Sequence, residues 1–259
     1  MNNIVESFEK KLDPKNFLKK IRFKYKNILL KSKFYFQRKI GNQNFSEKSM
    51  YGDHVKNIFI EIYKKNYWGN EESRSGNGSD LSQTEVVRRE LPILIKEFEL
   101  KSMLDLPCGD FNWMKMLKIN ADYIGADIVP EMIEQNKKLY ENEKCKFLTL
   151  DIIKDIPPTV DLIFCRDLMV HLSIQDLKSA LRNIANSGSK YLLATTFTNR
   201  DVNLDIPTGY WRPLNLQLEP FNFPEPLKLI NENCTEDNGN WTDKCLGLWR
   251  IKEILRKIS

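Results

Sequence analysis

The sequence is poor in the residues that most often build metal and disulfide sites. It holds two histidines, His54 and His171, and five cysteines, Cys108, Cys145, Cys165, Cys234 and Cys245. The cysteine number is odd, and no pair has C-x-x-C spacing. Three of them sit in or beside apolar runs, so buried free thiols in a reducing compartment are predicted rather than disulfides or zinc. No His/Asp/Glu cluster shows metal-ligand spacing, and no metal is expected. No stretch approaches the ~20 apolar residues that a membrane span requires. The opening residues, MNNIVESFEKKLDPKNF, carry charge throughout and lack an uninterrupted apolar segment. They predict no secretory leader, and the expectation is a cytoplasmic protein. Internal repeats and low-complexity tracts are absent.

Basic surplus is absent outside one segment. The net charge is +5, yet residues 1–50 hold 13 Lys+Arg against 4 Asp+Glu, and the remainder holds 27 against 31. A nucleic-acid footprint over the whole protein is therefore not supported, and no nucleic-acid partner is expected. Residues 14–39 interleave Lys and Arg with Phe, Leu, Ile and Tyr, and Phe17, Ile21, Ile28 and Leu29 fall at roughly helical spacing. Three readings of this arm stay open. It packs or oligomerises, which leaves the oligomeric state open; it lies on an anionic membrane and gives peripheral contact with the inner face; or it is a mobile tail, nucleic-acid contact included.

What the chain does have is length, a core and an alternating pattern. Its 259 residues are 41% hydrophobic, enough for one large α/β domain and an appendage. The predicted organisation is a basic helical arm (1–49), a helical and lid segment (50–101) and a core (102–259). Residues 50–66 look helical. YWGNEESRSGNGSDLSQT (67–84) reads as loop, either linker or a lid that orders over a ligand. A helix follows from about Ser82 to Phe98, with Pro92 as a kink or break. From Ser102, short apolar runs at 102–106, 121–127, 146–151, 160–167 and 189–197 alternate with helical segments such as 130–142 and 174–186. That alternation predicts right-handed βαβ units. Runs at 226–230 and 244–251 suggest an antiparallel pair closing one edge. The fold class expected is α/β: a Rossmann-like, mostly parallel sheet of about seven strands with the last pair antiparallel, helices on both faces, and a helical basic N-terminal extension.

Ligands of open parallel sheets bind beyond the carboxyl ends of the strands. The first strand is followed by DLPCGDF (105–111), a tight turn at Gly109 that should lead into a helix near Phe111. Asp127 ends the second strand, 18 residues beyond Gly109, at a spacing suited to ribose hydroxyls. Asp151 ends the third; Arg166, Asp167 and His171 follow the fourth. A pyrophosphate cofactor calls for several glycines in the first turn. This turn has one, flanked by Asp105 and Asp110, which would repel phosphate and suit a cationic ligand.

MLDLPCGDFNWM, YIGADIVPEMI, FLTLDI and VDLIFCRDLMVHLS resemble the successive motifs of class I S-adenosylmethionine-dependent methyltransferases, over about residues 60–251. Within that class they are similar to a bacterial subgroup associated with surface-carbohydrate modification. Pro107 and Phe111 depart from the usual glycines. The resemblance implies S-adenosylmethionine as cofactor and S-adenosylhomocysteine as product. It implies that Asp105, Pro107, Cys108 and Gly109 wrap the methionine part, that Asp127 with Ile128 holds the ribose, and that Asp151 and Ile152 meet the adenine. Arg166 and Asp167 would border the methionine moiety and the methyl group. Ser75, Gly76 and Ser79 in the lid are candidates for the cofactor's carboxylate.

Methyl transfer to a hydroxyl needs a base, and His171 is the candidate, with Asp167 in reserve. The competing reading has His171 shaping the pocket or capping the helix near Ser173. Tyr67, Trp68, Tyr210, Trp211 and Arg212 are candidates for a carbohydrate- or phosphate-bearing small-molecule acceptor; a covering aromatic flap is the alternative for 206–224. The expected reaction is O-methylation of a sugar hydroxyl or a phosphorylated or nucleotide-linked building block of a bacterial surface polysaccharide, as in capsule biosynthesis. RNA, DNA or other N-methylation is the second reading, opposed by CRDLMVH where Asn/Asp-Pro-Pro-aromatic is common. A non-catalytic binding module is the third.

Overall fold

The apolar runs from Ser102 onward form the sheet in the computed structural model, which describes residues 54–69 and 71–258. The basic arm (1–49) and residues 50–53 lie outside the described residues, so the readings offered for the arm do too. Everything below belongs to the unit Asn42–Ser259.

Seven strands are present: β1 Ser102–Asp105, β2 Asp122–Asp127, β3 Cys145–Thr149, β4 Leu162–Cys165, β5 Tyr191–Phe197, β6 Lys228–Asn231 and β7 Lys244–Arg250. Their order is β3-β2-β1-β4-β5-β7-β6. The first five run parallel, and β7 lies antiparallel between β5 and β6. The expected α/β Rossmann-like sheet is therefore what forms.

Alternation along buried strands sends successive residues to opposite faces. Leu104, Ile163 and Leu192 enter one core cluster, while Met103, Leu162, Phe164 and Leu193 enter the other. Helices cover both: α4 Ile174–Asn186 and α5 Ile251–Ile258 on the first, α2 Glu85–Glu97 and α3 Pro130–Tyr140 on the second. The buried stripe Leu177, Ala180, Leu181 and Ile184 of α4 has the helical period, and Ser173 caps it by accepting from the Asp176 N–H at 3.0 Å. Helix α1 His54–Lys64 brings Tyr63 against Val129 and Met132 at the start of α3.

Two local expectations are corrected. Pro92 neither breaks nor ends α2, because the stripe Val87, Leu91, Leu94 and Ile95 is buried and outweighs one missing hydrogen bond. No helix starts at Phe111. Its backbone is left-handed (φ 59°), and its ring sits among Tyr123, Tyr140 and Phe147, so the β1–β2 connection holds only a 3₁₀ turn at Met114–Met116. All five cysteines are free. Among the described residues no helix is long and apolar enough to cross a membrane.

Candidate functional site

The ends of β1, β2 and β4 meet at one edge of the sheet. The turn after β1 is pinned there: Leu106 N–H donates to the Phe164 carbonyl and Cys108 N–H to the Ala126 carbonyl, both at 2.9 Å. Asp105 and Asp127 are both buried beneath this turn. Asp105 accepts from the Tyr123 hydroxyl at 2.7 Å. Asp127 accepts from Gly109 N–H at 3.3 Å and from Val129 N–H at 3.0 Å. Burial pushes the Asp105 carboxyl up to about 7, and the neighbouring Asp127 adds to the rise. Burial likewise raises Asp127 to about 6 against its backbone donors. Here are two enclosed carboxylates without a full counter-charge, a setting that favours a cationic ligand and opposes a phosphate.

Gly109 has φ 57°, and a Cβ there would meet Ser75 Oγ at 2.3 Å. The missing side chain thus makes room for the 67–84 segment rather than for a ligand alone. That segment docks as a strap. Ser73 Oγ (3.0 Å) and Arg74 N–H (2.8 Å) donate to the Asp110 carboxylate, and Ser75 Oγ accepts from Asp110 N–H at 3.0 Å. Asp110, which read as part of an open acidic turn, is spent on these contacts. Gly76 (φ 96°) lies against Trp68, and Ser79 donates its N–H to the Gly76 carbonyl.

Beyond β3, Asp151 is half-buried and accepts from Ile153 N–H at 3.1 Å, and its carbonyl receives the N–H groups of Lys154 and Asp155. It closes a turn, while Ile152 is buried in the core. Ile128 is partly buried beside Tyr63.

The end of β4 has the opposite electrostatic character. Arg166 donates to Glu232 at 2.7 Å and to the Gly78 carbonyl at 2.8 Å, and lies 5.9 Å from the Trp113 ring centroid. Lys244 donates to Asp167 at 2.6 Å and stands 3.6 Å from Glu232. Asp167, left-handed at φ 57°, donates its backbone N–H to Thr195 Oγ1 at 2.9 Å. Lys244 and Arg166 hold its carboxyl down at about 2 despite burial. A carboxylate so stabilised is a poor proton acceptor, which counts against Asp167 as a base.

His171 sits one turn further on, with Nδ1 2.8 Å from the Tyr210 carbonyl oxygen. A carbonyl only accepts, so Nδ1 carries the proton and Nε2 keeps its lone pair. Enclosure lowers the ring to about 4, opposed by the Tyr210 carbonyl and by Asp167. The imidazole is neutral throughout the physiological range, not poised at its ordinary value. It does not cap α4; Ser173 does. Trp68 stacks on it with centroids 4.3 Å apart.

The acceptor candidates divide. Trp68 and the Tyr210 backbone meet His171, while Tyr67 lies under the Lys65 ammonium at 5.7 Å. Trp211 packs instead against Phe197 and Trp241 as part of a cover over the core. Arg212 is 1% exposed, its guanidinium donating to the Leu204 and Met169 carbonyls at 2.8 and 3.0 Å. Trp211 stays partly buried there, while Arg212 is turned inward and ties 204–212 to the turn below His171. Sequence reasoning missed Glu232, Lys244, Trp113, Thr195 and Asn136, whose amide donates to the Gly109 carbonyl at 2.8 Å. Lys244, a charge opening the apolar run KCLGLWR, was the one visible cue.

Residues 103–187, from β1 through α4, match a family model described as a methyltransferase domain. No curated protein matches the chain. Among solved structures, N-methyltransferase NodS from Bradyrhizobium japonicum WM9, in complex with S-adenosyl-L-homocysteine, superposes with a TM-score of 0.54 at 13% identity, covering 73% of this chain and 97% of that one. Human N-acetylserotonin methyltransferase, in complex with S-adenosylmethionine, gives 0.47 at 15% identity over 76% of this chain and 65% of that one. At these identities the likeness is one of fold.

Proposed function

We propose that this S-adenosylmethionine-dependent methyltransferase methylates an oxygen of a small polar acceptor, a sugar hydroxyl or a phosphorylated or nucleotide-linked building block of a bacterial surface polysaccharide. When bound, the cofactor supplies an electrophilic methyl group on a sulfonium. Asp105 and the turn Pro107–Gly109 would hold its methionine part, Asp127 and Ile128 its ribose, and Asp151 and Ile152 its adenine, with Ser75, Gly76 and Ser79 closing over it. The two under-compensated carboxylates support that fit.

The observation carrying the oxygen assignment is the His171 Nδ1–H on the Tyr210 carbonyl. It leaves Nε2 as a fixed, neutral acceptor beside the end of β4. A hydroxyl acceptor must lose a proton as it attacks, whereas an uncharged amine attacks with its own lone pair. A positioned base is typically worth ~10²–10⁴ in rate. Wild type and His171→Gln should be incubated with S-adenosylmethionine and a panel of nucleotide-linked and phosphorylated sugars, and products mapped by mass spectrometry and NMR. An O-methyl product, with turnover reduced about 10²–10⁴-fold in the variant at unchanged cofactor affinity, is expected. Wild-type turnover should stay level from pH 6 to 8, with its acid limb near 4. An N-methyl product overturns the oxygen assignment, and near-normal turnover in His171→Gln overturns His171 as the base. An anionic phosphate-oxygen acceptor, which needs no base, would give the latter.

A further inference from the structure

We propose that Trp68 is a positioning residue for His171 and that the strap of residues 71–81 sets it in place, so that closing the strap and readying the imidazole are one event. The inference rests on the reading of His171 as the base. The indole lies on the imidazole at 4.3 Å between centroids and 25° between planes. Nδ1 is already tied to the Tyr210 carbonyl, so the ring is fixed within its plane by one contact and across its plane by the other. That arrangement orients the Nε2 edge, the one an acceptor proton must reach.

Trp68 is itself clamped. Phe59 of α1 meets it edge-on at 5.8 Å. On another side the strap backbone comes so close that a Cβ on Gly76 would stand 3.0 Å from the Trp68 carbonyl oxygen and 3.3 Å from its Cβ. The positive φ of 96° at Gly76 and this lack of space both call for glycine. The strap is anchored at Asp110 through Ser73, Arg74 and Ser75, and at Arg166 through the Gly78 carbonyl. The same segment that docks on the β1 turn therefore places the indole.

The charged groups facing His171 come from other elements: Asp167 from the end of β4, Lys244 from β7 and Arg212 from the segment after β5. The strap side contributes an uncharged aromatic face. Its influence on the ring is thus exclusion of water and restriction of rotation, not charge.

The test reads the ring directly. The full-length chain has two histidines, so its spectrum holds two titrating imidazole Cε1–H resonances, and His171→Gln assigns them. In Trp68→Ala the His171 resonance should titrate at least about one unit higher, toward the ordinary value near 6.5, because a wetted ring protonates more readily. Trp68→Phe should restore the low titration, and Gly76→Ala should move it in the same direction as Trp68→Ala. The acid limb of turnover should follow the resonance, with kcat lowered and cofactor KM unchanged. If Trp68→Ala fails to fold, Trp68→Leu serves in its place. A folded Trp68→Ala whose His171 titrates as in wild type overturns the positioning role, and an unmoved resonance in Gly76→Ala overturns the strap's part. Failure of the base reading shows differently, as near-normal turnover in His171→Gln.

Discussion

Two clusters of buried charge share one edge of the sheet and behave in opposite ways. Under the β1 turn, Asp105 and Asp127 have hydrogen-bond donors but too little positive charge, and burial drives both carboxyls upward. At the end of β4, Asp167 is only partly buried but faces the buried Lys244 and Arg166, and its carboxyl is driven down. The first is incomplete without a cation from outside; the second is neutralised from within. Depth alone does not mark a ligand-facing acid. The direction of the shift, set by whether the protein supplies the counter-charge, is the better guide.

Four experiments sharpen or break this contrast. The largest effect belongs to the closed cluster. Glu232→Gln leaves Arg166 and Lys244 short of one negative charge in a buried site, and stability should fall by about 3–5 kcal/mol, measured by chemical denaturation. Its affinity for S-adenosylhomocysteine should hardly change. Asp127→Asn should do the reverse. Two charged hydrogen bonds to ribose, each worth about 1.5–3 kcal/mol, would be weakened, so calorimetry should show at least a tenfold loss of affinity. The fold should stay as stable or gain, since the native state holds this carboxylate at a cost. If both variants lose stability and neither loses affinity, the contrast collapses.

The third test is pH. The ligand-free carboxyls of Asp105 and Asp127 are raised to about 7 and about 6, so Asp105 takes up its proton as pH falls through 7 and Asp127 as it falls through 6, and binding a cation must expel those protons. Affinity for S-adenosylmethionine should therefore rise with pH from 5 to 7 and flatten above 7.5. The limit is about tenfold per unit for each group, or 1.36 kcal/mol. A flat profile would remove the carboxylates from the cofactor's charge. The smallest effect is expected at Lys228, in β6, which pairs with Glu97 in water. Lys228→Ala should cost below about 1 kcal/mol and less in high salt. A loss comparable to that of Glu232→Gln would mean burial is not what separates them.

The strands could be read from the sequence because short apolar runs bounded by polar breaks are local properties. Helices separate β2 from β3 and β4 from β5, and the carboxyl ends of the strands fall where Asp105, Asp127, Arg166 and His171 stand. What escaped depends on distant parts of the chain. Glu232 reaches Arg166 across 66 positions, and Lys244 reaches Asp167 across 77. Asp110 read as a free carboxylate because the serines that occupy it lie 35 to 37 positions earlier. Arg212 read as an anion ligand because arginine beside aromatics suits that role, but carbonyl acceptors within the fold draw it inward. The missing helix after Phe111 follows from a tertiary demand: its ring fills a gap among three aromatics, at the cost of a left-handed backbone.

The grip of Arg166 on the strap is a grip on main chain, the Gly78 carbonyl, and no strap side chain takes part in it. A fastening of that kind is blind to its neighbours' identity. Asn77 and Ser79 can be exchanged in the laboratory, one at a time or in a library, while the fastening persists, and Ser79 touches Asn112 only through its own carbonyl. Gly78 is the exception, since a Cβ there would crowd Asp167 Oδ2 at 3.3 Å and Glu236 Oε2 at 3.4 Å. One rigid point flanked by exchangeable ones lets the sequence on either side of Gly78 vary without loosening the strap.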